Sequence, residues 1–177
     1  MKKRLKRFFK RLFLLCFSIL ILGFLIPQKL IIPVEGATPK DWNVKTFWYY
    51  PWGTSITHKG VDIFAKEGKA IYAATGGPVI YRGNGVKGGN FVIILGPKWR
   101  YHYYAHMKEV EVQVGNWTKQ GEKTGTVGST GNAKNKPPHL HYTLGTFIPY
   151  PWRIDEDRQG WMKMCILNPL DYLPAQK

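Results

Sequence analysis

Hydrophobic patterning divides the chain into two regimes. Residues 12–26 are fifteen consecutive uncharged and mostly apolar positions, and a run without a polar face predicts one hydrophobic helix rather than a surface helix. From residue 47 onward the apolar stretches are short and bounded by Gly, Asn or Pro, at 61–64, 70–74, 78–81, 91–95, 101–107 and 110–114. Stretches of that length, rich in β-branched and aromatic residues, predict strands. Gly76-Gly77, Gly83-Asn84-Gly85 and Gly88-Gly89-Asn90 are turn signals between them, because glycine accepts positive φ. The expected fold is mostly β: a compact antiparallel sheet domain preceded by one N-terminal hydrophobic helix. The expected organisation is a basic head with its hydrophobic segment over 1–34, a polar linker over 35–46 and the domain over 47–177.

Charge changes the reading of the first segment. The net charge of +15 comes from 26 Lys and Arg against 11 Asp and Glu, and seven of the basic side chains fall in residues 1–11, which hold no acid. The rest of the chain carries only +8, without a long basic run, which argues against nucleic-acid binding. A basic head leading into an apolar run is a membrane-targeting pattern. The positive-inside rule keeps the head in the cytoplasm and sends the chain beyond residue 30 or so across the membrane. Fifteen residues lie between the apolar region of a cleaved signal and the roughly 20 residues of a spanning helix, so a leader and an anchor are both open. Either way the working domain is expected to be exported, to the periplasm or cell envelope. Cys16 lies in the apolar run, leaving Cys165 without an internal disulfide partner. Flanked by Met164 and Ile166, it reads as a small packed hydrophobe.

Chemistry concentrates in five histidines, all between positions 58 and 141. In His58-Lys59-Gly60-Val61-Asp62 the even spacing puts an imidazole and a carboxylate on one face of extended chain, with Gly60 easing the backbone between them. That donor pair suits zinc, although alone it reads first as a surface His beside a solvated Asp. His139-Leu140-His141 comes after two prolines that favour extended backbone. Its two imidazoles then share one face while Leu140 points to the core. In the run from Tyr101 to His106, His102 and His106 share a face if the strand is unbroken, yet lie about 13 Å apart, too far to serve one small site.

Taken together, His58 with Asp62, His106, and His139 with His141, in this order, resemble the lysostaphin or LytM-type zinc metallopeptidases that cut the peptide part of bacterial peptidoglycan. Gly60-Val61-Asp62-Ile63, Tyr104-Ala105-His106, the stretch from Gly125 to Asn132, His139-Leu140-His141 and the segment from Asn168 to Leu173 carry the resemblance over roughly residues 52–173. It implies a β-rich fold with a metal-containing groove, one zinc ion held by His58, Asp62 and His141, and catalytic roles for His106 and His139. Three protein ligands leave a fourth position for water, the arrangement of catalytic zinc. Such zinc lowers the pKa of its water towards about 7 and polarises the scissile carbonyl. One of the two other histidines would accept the proton, and the other would serve the oxyanion or the leaving amine.

Several residues have plainer readings. Tyr104 is read as a half-buried strand tyrosine before an oxyanion donor, and His102 as exposed or locally paired. The glycine-rich stretch from Gly125 lacks the Gly-Lys-Ser/Thr ending of a phosphate loop and is read as a turn bordering the groove. The seven tryptophans are read mainly as core, with Tyr150-Pro151-Trp152 the exposed exception, in an insertion where a groove wall could form. The expected function is zinc-dependent cleavage of peptidoglycan cross-links or stem peptides. The expected partners are those peptides, the membrane through the N-terminal segment, and a protein that restrains the enzyme. Some proteins resembling this family have lost ligands and act as wall-binding regulators that activate other hydrolases. Here all five matching positions are present, which argues for an enzyme.

Overall fold

The computed structural model describes residues 2–174. Helix α1, Lys2–Leu25, has no buried residue. It is long and apolar enough to cross a membrane. Nine strands come after it: β1 Val61–Phe64, β2 Ala70–Tyr72, β3 Gly77–Gly85, β4 Gly89–Leu95, β5 Arg100–Val110, β6 Trp117–Thr118, β7 Lys123–Val127, β8 His139–Thr146 and β9 Ile166–Leu167. They form one sheet in the order β1-β8-β5-β4-β3-β6, with β7 against β2 and β5, and β9 against β8. Every pairing is antiparallel.

Strand β8 shows how alternation builds the core. Leu140, Tyr142 and Leu144 are fully buried, and period-2 pleating turns His139, His141 and Thr143 to the opposite face. The stretch expected as a strand at 110–114 is instead the end of β5 and the turn after it. Gly83 and Gly85 lie inside β3, so the hairpin turn falls at residues 86–88.

Strand β5 changes partners along one edge. Residues 100–105 pair with β8, whereas Met107 onward pairs with β7. At the junction His106 adopts φ +64°, and its N–H turns to the Gly88 carbonyl at 2.8 Å. Positive φ is uncommon for any residue with a Cβ, though histidine tolerates it better than most. The strand's regular pleat is therefore broken at His106.

The packed domain begins earlier than its expected boundary at residue 47. Leu30, Val34 and Trp42 belong to the buried core. Val34 bridges Ile71, Ile31 N–H bonds the Ala74 carbonyl at 3.1 Å and Glu35 N–H bonds that of Ala70 at 3.0 Å. Residues 30–35 thus satisfy the outer edge of β2, which would otherwise present unpaired backbone groups. Their apolar side chains read in sequence as the tail of the hydrophobic helix, and Trp42 shows that the expected linker also contributes to the core.

Candidate metal centre and groove

Cross-strand register brings the first two donors together. Asp62 on β1 lies directly opposite His141 on β8, and Asp62 Oδ1 is 2.7 Å from His141 Nδ1. His58 precedes β1 in a loop rather than extending it, so strand parity does not place it. Its position depends on Gly60, where a Cβ would meet the Tyr142 carbonyl at 2.6 Å and His141 Cε1 at 2.9 Å. The missing side chain lets the loop lie against β8. His58 Nε2 then reaches to 3.0 Å from Asp62 Oδ1 and 3.1 Å from His141 Nδ1.

Hydrogen bonds on the far side of each ring set the tautomers. His58 Nδ1–H donates to the Thr46 carbonyl at 3.0 Å. Thr143 Oγ1 donates to the Lys59 carbonyl at 2.8 Å and so accepts from His141 Nε2–H at 3.1 Å. Both rings therefore turn bare lone pairs towards a carboxylate oxygen, and three mutually repelling acceptors converge. A proton on either ring relieves that repulsion, and such contacts with His141 and His58 outweigh the raising effect of burial and hold the Asp62 carboxyl well below the ordinary carboxylate range. His141 is held below the usual imidazole range, first by burial, against the opposing pull of Asp62. An anion and two imidazole lone pairs in mutual contact are a cation site, and these three groups can together hold a metal ion. The donor set of two nitrogens and one oxygen fits zinc.

His106 and His139 stand beside this cluster with ring centroids 5.0 Å apart, and that of His106 is 5.8 Å from that of His141. Their Nδ1–H groups donate to the carbonyls of Thr130 at 3.0 Å and Pro137 at 2.8 Å, which leaves both Nε2 atoms as acceptors. His139 Nε2 lies 3.9 Å from Asp62 Oδ2. Burial lowers the His106 imidazole to about 4, with the charges of His141 and His139 acting the same way, so the ring is neutral at ordinary pH. All five residues singled out in the sequence thus line one groove of about 780 Å³.

Other expectations fare differently. His102 is neither exposed nor near the groove; it is fully buried, with Nδ1 2.7 Å from the Tyr142 hydroxyl and Nε2 3.0 Å from the Gln28 amide nitrogen. Tyr104 is also fully buried, and its hydroxyl accepts from the Ala74 N–H at 2.8 Å. Its neighbour Tyr103 lines the groove instead. The signal for that was parity, since Tyr103 and Ala105 share the face opposite Tyr104. Within the glycine-rich stretch the first residues belong to β7, and the turn beyond supplies Thr130, Asn132 and Ala133 to the site.

The insertion after β8 does build a groove wall, through Gln159 and Met162 rather than Trp152, which is 79% exposed and stacks on Tyr150. Lys59 Nζ and Thr57 Oγ1 both bond Gln159 Oε1, at 2.6 and 2.9 Å. Trp48 Nε1 adds a bond to the Arg158 carbonyl at 3.0 Å. Trp52, read in the sequence mainly as core, also lines the wall and stacks on His58 at 4.2 Å.

The region that holds the His/Asp cluster resembles known proteins. Residues 56–148 match the peptidase family M23. The murein hydrolase activator NlpD of Escherichia coli is 33% identical over 120 residues, covering 67% of this chain and 27% of that protein. The L-Ala--D-Glu endopeptidase of Bacillus subtilis is 31% identical over 128 residues, covering 63% of this chain and 39% of that protein. The chain thus spans well under half the length of these curated relatives. Among solved structures, the catalytic domain of lysostaphin from Staphylococcus simulans superposes with a TM-score of 0.52 at 30% identity, covering 56% of this chain and 76% of that one. The family match covers more than half of the residues, and the chain belongs to peptidase family M23.

Proposed function

We propose that the protein is an exported zinc endopeptidase that hydrolyses peptide bonds in peptidoglycan cross-links or stem peptides. The observation that carries this reading is the convergence of the His58, Asp62 and His141 lone pairs at 2.7 to 3.1 Å, beside two histidines whose Nε2 atoms remain free. His58, Asp62 and His141 are the metal ligands in this reading, and His106 and His139 are the catalytic residues. A zinc ion bound there would supply Lewis acidity, acidifying water and polarising an amide carbonyl. The residues of the chain do the rest. Thr46 and Thr143 fix the orientation of His58 and His141, as outer hydrogen-bond partners of ligands commonly do. Either free Nε2 can take a proton from water and, once protonated, hydrogen-bond the developing oxyanion or protonate the leaving amine. Tyr103, Trp52 and the Gln159 wall bound the groove that orients the peptide.

Export rests on α1 and its basic flank, with α1 acting as a leader or an anchor. The reading is tested by incubating the detergent-solubilised full chain with isolated peptidoglycan. Soluble peptides are expected with zinc and not with chelator, and equal release in both would overturn it. The second reading, binding and activation of another wall hydrolase, is favoured by the 33% identity to a protein named as a murein hydrolase activator. Its signature in the same assay is no release by the chain alone and stimulated release when a wall amidase is added.

A further inference from the structure

We propose that the face made by the end of α1, the turn Pro97–Trp99 and the segment 114–120 seats on an anionic phospholipid bilayer, with the His/Asp cluster at the far end of its groove, up to about 20 Å from the lipid. The seat rests on α1 being retained as a membrane span. Trp99 Nε1–H donates to the Leu20 carbonyl at 2.9 Å, and Lys98 Nζ donates to the Phe24 carbonyl at 2.9 Å. The last turn of α1 has no basic residue of its own, so Lys98 brings the domain's charge to the negative end of that helix. Gly23 makes the contact possible, since a Cβ there would lie 2.5 Å from the Trp99 ring. The domain is therefore docked on the helix.

Depth is set by the helix rise. Leu20 lies five residues before the end of α1, about 8 Å along its axis. A spanning α1 ends near the outer hydrocarbon boundary, which puts the Trp99 indole several ångström below it, beside the upper acyl chains, with its N–H satisfied by the Leu20 carbonyl. The uncharged run of residues 12–26 extends only about 22 Å, against a hydrocarbon core of about 30 Å. A short span draws its flanking surfaces inward, and here the flanking surface is this face of the domain.

Its composition matches that position. A groove between the helix end and the sheet is lined by Ile26, Pro78, Trp99 and Trp117 with Lys29 and Lys98, and by no acidic side chain among the described residues. Trp117 is 70% exposed, on a two-residue strand whose other residue, Thr118, is fully buried. Apolar rings with lysines suit an anionic headgroup layer. A bilayer is the occupant because α1 enters it at this face. Strand β5 then runs from Arg100, beside Trp99, to His106 in the groove, six residues and about 20 Å away.

The test reconstitutes the full chain in vesicles of phosphatidylethanolamine and phosphatidylglycerol, with or without a phospholipid brominated in the upper acyl chain. Flotation reports whether α1 holds the chain to lipid, and its failure would overturn the anchor reading itself. In floating protein, Trp117→Phe is expected to remove part of the wild-type fluorescence lost to brominated lipid. Trp161→Phe, at an exposed position in the insertion after β8, is expected to leave that loss unchanged. An unchanged loss in Trp117→Phe would overturn the seat. Replacing phosphatidylglycerol with phosphatidylcholine is expected to shrink the Trp117 share, and an equal share in both lipids would overturn the anionic preference.

Discussion

His102 and His106 lie four residues apart on β5 and end in opposite environments. His102 is sealed in the core beside Tyr104, with both ring nitrogens bonded, to Tyr142 and Gln28. His106 faces the groove with Nδ1 tied to the Thr130 carbonyl and Nε2 free. In an unbroken strand the two would share a face, and His106 would point inward with His102 and Tyr104. The backbone at His106, φ +64° where β5 exchanges β8 for β7, reverses that side chain. The difference comes from a defect in the ladder: the buried ring is held neutral as structure, and the ring at the break is left with an open lone pair.

The largest difference between the two histidines is expected in activity. His106→Ala is expected to lower peptide release by about 10²- to 10⁴-fold while zinc stays bound, whereas His102→Leu leaves turnover per folded molecule nearly unchanged. Kinetics on both purified variants check this, and a comparable loss in His102→Leu would erase the distinction. Stability should rank them the other way. His102→Leu strands the Tyr142 hydroxyl and the Gln28 amide, at a cost of about 1–3 kcal/mol, and His106→Ala costs less. Urea unfolding of the two decides, with equal losses contradicting the division.

Acid sensitivity sharpens the contrast further. Burial, aided by the Arg100 charge, lowers His102 to about 3, against 6.5 in an unfolded chain. Below pH 6.5 the unfolded state therefore takes the proton first. The group's contribution is fully present above that pH and is lost as pH falls towards 3, at up to about 1.4 kcal/mol per unit. His106 adds a shorter fall, ending near its value of about 4. His102→Gln is expected to flatten the dependence between pH 6 and 4 by about one proton's slope, and an unaltered slope would contradict the buried neutral ring.

Much of this was legible in the sequence because pleating has a period of two. His139 and His141 share a face and Leu140 enters the core, whereas the grouping of Asp62 with His141 came from the resemblance and its cause, the β1–β8 register, only from the structure. What pleating does not encode stayed hidden. His58 reaches the cluster through a loop whose approach depends on the space between Gly60 and the distant Tyr142 carbonyl. The reversal at His106 depends on which strands flank β5, and neither partner can be read from the local run. His102 is buried because Tyr142 and Gln28 meet it from elsewhere in the chain. Residues 30–35 looked like the end of a helix because their apolar side chains suit either a membrane or the edge of β2.

The central claim is that one metal is held by His58, Asp62 and His141, with His139 standing outside its ligand set. Metal analysis of the full-length wild type, His139→Ala and His141→Ala tests it most directly. One zinc per chain is expected in the first two and none in the third. Equal zinc loss in His139→Ala and His141→Ala, or full retention in both, would contradict it.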